Sequence, residues 1–158
     1  MTPQTEEFMD MDGLSEEAPF ALSNLERDPA EVAAELGLKI INSTDTLLQI
    51  DLDTDADILR HAVLFAKFYT EFDYFESSIT TRSKSGEGVH VYIKLRAPMS
   101  AERRIAFQAA LGSDPMRELL SLSRIFNSKR DVASVLFETD AEYQNVMLWL
   151  EPTEDLPF

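Results

Sequence analysis

The sequence predicts an α+β fold, with helices packed on one face of a mainly antiparallel sheet. Two observations support this prediction. From Leu47 onward, stretches in which apolar residues recur at every second position alternate with stretches in which they recur every three or four positions, the periods of strands and of helices. Glycine and proline residues separate these stretches at short intervals. With 158 residues, of which 44% are hydrophobic, the chain is long enough to bury one core.

Each element follows from its own local pattern. A first helix begins after Asp28, with Pro29 in its first turn, and ends at Gly37. The remaining predicted elements are, in chain order, the strand Leu47–Asp53, the helix Asp57–Phe72, the strands Phe75–Thr81 and Val89–Leu95, a helix from the Ser100 cap to Leu111, a helical segment from Ser113 or Asp114 to Phe126, the strand Val132–Glu138, and a short segment with strand character, Val146–Leu150. The order β-α-β-β-α-β is that of ferredoxin-like and RRM-like folds. We therefore expect the second face of the sheet to be open.

The chain divides into three predicted parts. Residues 1–27 are acidic and show no sustained period, so we predict a disordered arm. Residues 28–150 form one domain, and residues 151–158 form an acidic tail. There is no cysteine, no signal-peptide pattern and no apolar run near the roughly 20 residues of a membrane span. We therefore expect a cytoplasmic protein without disulfides, thiolate zinc sites or membrane contact.

The charge is unevenly distributed along the chain. The formal net charge is −15, with ten acidic residues against one base in residues 1–35, and six acidic residues and no base in residues 138–158. Residues 82–130, in contrast, hold ten basic residues against four acidic ones. A basic surface attracts phosphates whatever the total charge, so nucleic acid stays among the expected partners. An ordinary solvated face would show the same pattern.

Two carboxylates are predicted side by side on the strand Leu47–Asp53. Side chains two residues apart on a strand point to the same face, so Asp51 and Asp53 lie together on its polar side. Paired carboxylates repel each other, and Mg²⁺, which prefers one or two carboxylates together with phosphate oxygens, would relieve that repulsion. The alternative is that an acidic residue caps the following helix, which suits Asp55 and Asp57 but does not explain Asp51.

A second polar set surrounds the turn in the segment SKSGEGVH. Gly86 and Gly88 allow backbone geometry that brings amide groups close to a phosphate, while Ser85 adds a hydroxyl and Lys84 a cation. His90, at the start of the next strand, could donate a hydrogen bond to a triphosphate oxygen. The alternative is a glycine-containing hairpin turn followed by an exposed histidine.

A third acid, Glu138, lies at the end of the strand Val132–Glu138. The first and last strands of this topology can be neighbours, which would bring Glu138 close to Asp51 and Asp53. Three carboxylates there would suit a two-metal phosphoryl-transfer site. Asp140 is a competing third ligand.

Together, these three motifs resemble those of the archaeo-eukaryotic primase superfamily, in particular the palm domain of primase–polymerases of the phage and plasmid type. The resemblance covers about residues 44–140. It implies a DNA primase/polymerase-type nucleotidyltransferase that uses Mg²⁺ or Mn²⁺, nucleoside triphosphates, and DNA that is single-stranded or a template–primer. The residues it assigns are Asp51, Asp53 and Glu138 as metal ligands, Asp51, Asp53, His90 and Glu138 as catalytic residues, and Lys84, Ser85, Gly86, Gly88, His90 and Arg117 as nucleotide-binding residues.

Two departures from the family pattern keep other functions open. The family's third acid is commonly Asp, whereas Glu138 is the candidate here. Active members also usually carry an additional N-terminal module, and with only 46 residues before Leu47 we do not expect one here. A non-catalytic single-stranded DNA-binding or replication accessory protein is therefore the main alternative. Phosphodiester hydrolysis would use the same carboxylates but would leave SGEGVH unexplained.

The C-terminal tail carries a separate resemblance. Its last residues, Asp155, Leu156, Pro157 and Phe158, resemble the tip of bacterial single-stranded DNA-binding proteins. That tip docks on replication and repair proteins through its terminal phenylalanine and carboxylate. The resemblance implies a replication or repair protein as a docking partner, whereas a polar tail that happens to end in Pro-Phe is the alternative.

Overall fold

The computed structural model describes residues 28–128 and 134–151. Its elements are α1 (Pro29–Leu36), β1 (Lys39–Asn42), β2 (Leu47–Leu52), α2 (Asp55–Glu71), β3 (Phe75–Arg82), β4 (Val89–Leu95), α3 (Ala101–Ala110), α4 (Pro115–Ser123), a π-helical turn (Arg124–Ser128), β5 (Val135–Glu138) and α5 (Asp140–Leu150). Several sequence predictions lie outside the described residues: the acidic arm 1–27, the start of the strand Val132–Glu138, and the tail residues Asp155–Phe158. No helix in the described ranges is both long and apolar enough to cross a membrane.

The structure confirms the α+β class, with every strand pairing antiparallel. Strands β2, β4 and β3 form one sheet in that order, and β1 and β5 form a second, two-stranded sheet. Strand β5 pairs with β1, a strand that was not predicted. In their register, Lys39 lies opposite Glu138 and Asn42 lies opposite Val135. The ferredoxin-like order, in which the last strand would extend the main sheet beside the first, is not confirmed by this pairing.

The free edge of β2 is occupied by other groups. The Gln49 amide donates to Gln108 Oε1 at 2.9 Å, and the Asp51 amide donates to Ser113 Oγ at 3.0 Å. The Arg117 guanidinium donates to the Gln49 carbonyl at 3.0 Å, and the Asp114 amide donates to the Asp51 carbonyl at 2.9 Å. Because buried backbone groups need partners, the segment from Gln108 to Arg117 takes the place that a neighbouring strand would otherwise hold.

The prediction that one face of the sheet is open is wrong, since both faces are covered. On one face, Leu48, Ile50 and Ile93 pack against the apolar side of α2 and against Phe107 of α3. On the other face, Leu47 and Tyr92 are buried with residues of β1, β5 and α5. Leu47 and Tyr92 break the polar pattern of their strands and form an apolar patch, and covering that patch removes it from water.

The segment Val146–Leu150, predicted to have strand character, is helical. It is the second half of α5, in which Val146 is fully buried and Trp149 packs on the second core. Thr139 caps this helix by accepting from the Glu142 amide at 3.3 Å. The sequence signal for this helix was the Thr-x-x-Glu spacing of a capping box, Thr139 to Glu142, which was not recognised.

The predicted caps at Asp28 and Ser100 are confirmed, and of the two alternatives Ser113 and Asp114 it is Asp114 that caps α4. Helix α2, in contrast, is capped by Thr54, whose hydroxyl accepts from the Asp57 amide at 3.1 Å. Asp55 and Asp57 lie in its first turn, where their negative charges interact favourably with the helix dipole.

Candidate functional site

Asp51 and His90 are directly opposed on neighbouring antiparallel strands. Their Cα atoms are partners in the register of β2 and β4, so both side chains leave the sheet on the same face. His90 Nε2 lies 3.6 Å from Asp51 Oδ1, and His90 Nδ1 lies 2.8 Å from Glu138 Oε2. The imidazole therefore sits between two carboxylates that come from different sheets.

Glu138 is held in a hydrogen-bonded network. It is only 1% exposed, and its Oε2 atom accepts from the Thr81 hydroxyl at 2.9 Å, from the Tyr92 hydroxyl and from the His90 ring. Burial, followed by the neighbouring Glu138 carboxylate, raises the pKa of Tyr92, so its phenol keeps the hydrogen that it donates. Because a carboxylate oxygen is an acceptor, the His90 tautomer that carries its hydrogen on Nδ1 fits this arrangement.

The Oε1 atom of Glu138 is buried and has no hydrogen-bond partner among the described residues. Three donors therefore converge on one oxygen of this carboxylate, while the other oxygen is unsatisfied. An unsatisfied buried oxygen is costly, so the position of Glu138 depends on the donors that Thr81, His90 and Tyr92 supply.

Three aspartates, Asp51, Asp53 and Asp114, influence one another's charge at the end of β2. Burial raises the pKa of Asp51, and the charges of Asp53 and Asp114 raise it further, while His90 and Arg117 act in the opposite direction. Burial also raises the pKa of Asp53, with further contributions from Asp114 and Asp57. The negative charges of Asp53 and Asp114 thus disfavour ionisation of Asp51. Asp114 was predicted only as one of two residues that could begin a helical segment, and not as part of the site.

A cavity of about 390 Å³ opens beside Asp51 and His90. Its polar lining also includes Asp114, Arg117 and Arg124. The remaining lining is apolar and consists of Pro29, Val32, Met116, Leu120, Val135, Leu136 and Phe137. A cavity lined by both charged and apolar residues can take a ligand that combines charged and apolar parts.

Arg117 lies at this cavity, but its guanidinium already has four acceptors. It donates to the carbonyl and the side-chain oxygen of Gln49, both at 3.0 Å, to Glu118 Oε2 at 2.6 Å, and to the Val135 carbonyl at 3.3 Å. These bonds tie β2 to β5 across the gap between the two sheets. The structure therefore gives Arg117 a structural role at the position where the resemblance implies nucleotide binding.

The SGEGVH segment forms a hairpin turn that is closed by its own hydrogen bonds. The Gly86 amide donates to the Ser83 carbonyl at 2.9 Å, the Glu87 amide to Ser85 Oγ at 3.2 Å, and the Gly88 amide to Ser83 Oγ at 3.2 Å. Lys84 Nζ donates to the Leu36 carbonyl at the end of α1, at 3.4 Å. This geometry agrees with the hairpin-turn alternative, although the histidine that follows is buried and not exposed.

Gly88 is required by a close approach of two backbones. A Cβ atom at this position would lie 2.5 Å from the Leu52 carbonyl oxygen of β2. Gly86, in contrast, has a φ of 81° and open space around it. The two positions therefore favour glycine for different reasons: Gly88 because a side chain would clash, and Gly86 because of its positive φ.

The structure thus brings Asp51, His90, Glu138 and Arg117 into one neighbourhood, whereas Asp53 and Asp140 are exposed. Thr81 and Tyr92, which complete the network, were not predicted, because a single hydroxyl on a strand carries no sequence signal. Within residues 28–128 and 134–151, no three His, Asp or Glu side chains are grouped in a way that could hold a metal ion. Comparisons with protein-family models, with curated proteins and with solved structures find no match.

Proposed function

We propose that this chain is a nucleotidyltransferase-like protein of DNA replication that binds a nucleoside triphosphate, a divalent cation and DNA. The observation that carries the proposal is the position of Asp51 and His90. They come from separate motifs, lie opposite each other on β2 and β4, and line one cavity with Arg124. The cavity lining combines these charged groups with apolar residues, which suits a ligand that joins phosphates to a base.

Asp51 and Asp53 fit a divalent cation. Burial raises the pKa of both carboxylates, and the charge of Asp53 raises the pKa of Asp51 further, so a positive ion beside them would be favourable. Mg²⁺ or Mn²⁺ commonly uses one or two carboxylates and completes its shell with water and phosphate oxygens. Such an ion would neutralise charge on a triphosphate. His90 would then direct a ring nitrogen towards the same site.

Glu138 fits a metal site poorly, because its Oε2 atom already accepts from three donors and its side chain is fully buried. We assign it the role of holding the His90 ring in place. A two-ion site would need another carboxylate, for which Asp114 is a candidate, since its charge raises the pKa of both Asp51 and Asp53.

The burial of Glu138 also favours the second candidate function. A protein with the ligands for one ion but without the third carboxylate would bind nucleotide or single-stranded DNA without extending a primer. That describes a non-catalytic replication accessory protein. The two candidates differ in whether ligand binding needs the cation.

Calorimetry of dATP and ATP binding, with and without Mn²⁺, tests the proposal. We expect binding that requires Mn²⁺ and that weakens at least about tenfold in Asp51→Asn and Asp53→Asn, since each loses a charged ligand. Asp55→Asn removes the same charge from the exposed first turn of α2 and is the matched control. If neither nucleotide binds, while salt-sensitive oligothymidylate binding persists in Asp51→Asn, the enzyme proposal fails and the accessory role remains.

A further inference from the structure

A second cavity lies at the other end of the β2–β4 pair. Asp51 and His90 are near the end of β2 and the start of β4, whereas this cavity is formed by the residues just before β2 and just after β4. Its volume is about 600 Å³, and its lining includes Ser43, Asp45, Ser100 and Arg104. None of these residues takes part in the site around Asp51.

Arg104 is a buried cation with too few partners. It is 5% exposed, and among the described residues its guanidinium makes one hydrogen bond, from Nη1 to the Met99 carbonyl at 2.6 Å, while its Nε atom is buried without an acceptor. Among the described residues, no carboxylate lies within ion-pair distance of this guanidinium. Burial lowers the pKa of Arg104, and the nearby Asp45 only partly offsets this effect. Because a buried charge without a paired counter-charge is costly, an anion bound beside Arg104 would be favourable.

The N-terminus of α3 points to the same kind of ligand. Ser100 caps this ten-residue helix by accepting from the Arg103 amide at 3.2 Å, and the Ser100 carbonyl accepts from the Arg104 amide at 3.0 Å. The backbone amides of Ala101 and Glu102, the first two residues of α3, have no acceptor among the described residues. Free amides at a helix N-terminus, together with the helix dipole, favour a phosphate.

We propose that this cavity binds a phosphate group, with the Arg104 guanidinium and the first amides of α3 as its donors. The Arg104 fork can donate two parallel hydrogen bonds to phosphate oxygens. Asp45, exposed at the rim, repels a doubly charged phosphate more than a singly charged phosphodiester. The phosphodiester backbone of a nucleic-acid strand is therefore the favoured source, and free inorganic phosphate is the other.

NMR titration of the full chain with inorganic phosphate and with a short oligothymidylate, against chloride at equal ionic strength, tests this site. We expect saturable shifts of the Ala101 and Glu102 amide resonances. Arg104→Gln should weaken binding about tenfold or more, as expected for the loss of charge-assisted hydrogen bonds. Arg103→Gln removes the same charge from the neighbouring residue, which stacks on Tyr74, and should change the affinity less than about twofold.

Ala101→Glu keeps the test decisive if Arg104→Gln does not fold. An acidic residue in the first turn favours the helix but places a negative charge at the cavity, so the fold should persist while phosphate binding is lost. Saturation by oligothymidylate at lower concentration than by phosphate would assign the site to a nucleic-acid strand, and the reverse would assign it to free phosphate. Shifts that never saturate, or that persist unchanged in Ala101→Glu, would overturn the site. Asp51→Asn should leave these shifts unchanged, so failure here is separate from failure of the nucleotide site.

Discussion

His90 Nδ1 lies 2.8 Å from Glu138 Oε2, although 48 residues separate the two along the chain. This contact joins β4 of one sheet to β5 of the other. It also leaves the second ring nitrogen of His90 facing Asp51. The buried carboxylate thereby sets the orientation of the imidazole at the candidate site.

Replacing Glu138 should therefore destabilise the fold. In Glu138→Gln the three donors that now reach a carboxylate would share one neutral oxygen, and we expect a loss of about 1–3 kcal/mol in the free energy of unfolding. Guanidinium denaturation measures this loss. Glu76→Gln, on the exposed side of β3, is the control and should change stability by less than about 0.5 kcal/mol. Equal stability of the two variants would show that the network around Glu138 contributes little.

The two glycines of the SGEGVH turn should respond differently to alanine. Gly88→Ala places a Cβ atom 2.5 Å from the Leu52 carbonyl oxygen, so β2 and β4 must separate, and we expect a loss of about 3 kcal/mol. Gly86→Ala meets no atom within 4 Å but must keep a φ of 81°, which costs about 1 kcal/mol. Thermal unfolding of both variants measures which of them loses more stability. A larger loss in Gly86→Ala would contradict the close approach at Gly88.

Stability should fall in mild acid because of His61. This side chain is 7% exposed, its Nδ1 lies 2.8 Å from the Leu111 carbonyl, and burial lowers its pKa below 6.5. The unfolded chain therefore takes up a proton near pH 6.5 that the folded chain refuses. The contribution of His61 to the free energy of unfolding is complete above that pH. It decreases as the pH falls towards the pKa of His61 in the folded protein, by at most about 1.4 kcal/mol per pH unit.

Urea denaturation at pH 7.5 and at pH 5.5 measures this effect. His61→Asn can still donate to the Leu111 carbonyl but cannot titrate, so the difference in stability between the two pH values should be smaller than in the unchanged protein. The comparison of the two proteins removes the contributions of all other groups. A pH dependence that the substitution leaves unaltered would exclude His61 as its source.

The Ser113 side chain should contribute to the stability of the fold, although no sequence pattern indicated this role. Its hydroxyl is the acceptor for the Asp51 amide, and the residue is 2% exposed. Ser113→Ala leaves that amide without a partner, and we expect a loss of about 1–3 kcal/mol. Ser78→Ala, on the exposed side of β3, is the matched control. If both substitutions have the same effect on the denaturation midpoint, water or another group must satisfy the Asp51 amide.

Much of the site could be predicted because its signals are local. The period of two along β2 and β4 correctly put Asp51 on the polar face of its strand and His90 on the polar face of the next. The helix caps at Asp28, Ser100 and Asp114 were readable for the same reason. What could not be predicted is how Tyr92 and Thr81 join Glu138, since that depends on which strands become neighbours.

The sequence by itself determined the α+β class, the strands β2 to β4, and the shared face of Asp51 and His90, because each depends on residues close in the chain. Only the tertiary structure decided that β5 pairs with β1 and that α5 covers the second face of the sheet. The cause is the edge of β2, whose backbone groups bond to Gln108, Ser113 and Arg117, between 59 and 68 residues away. Such bonds between distant residues depend on competition among all possible partners for buried polar groups, and no local pattern encodes the outcome.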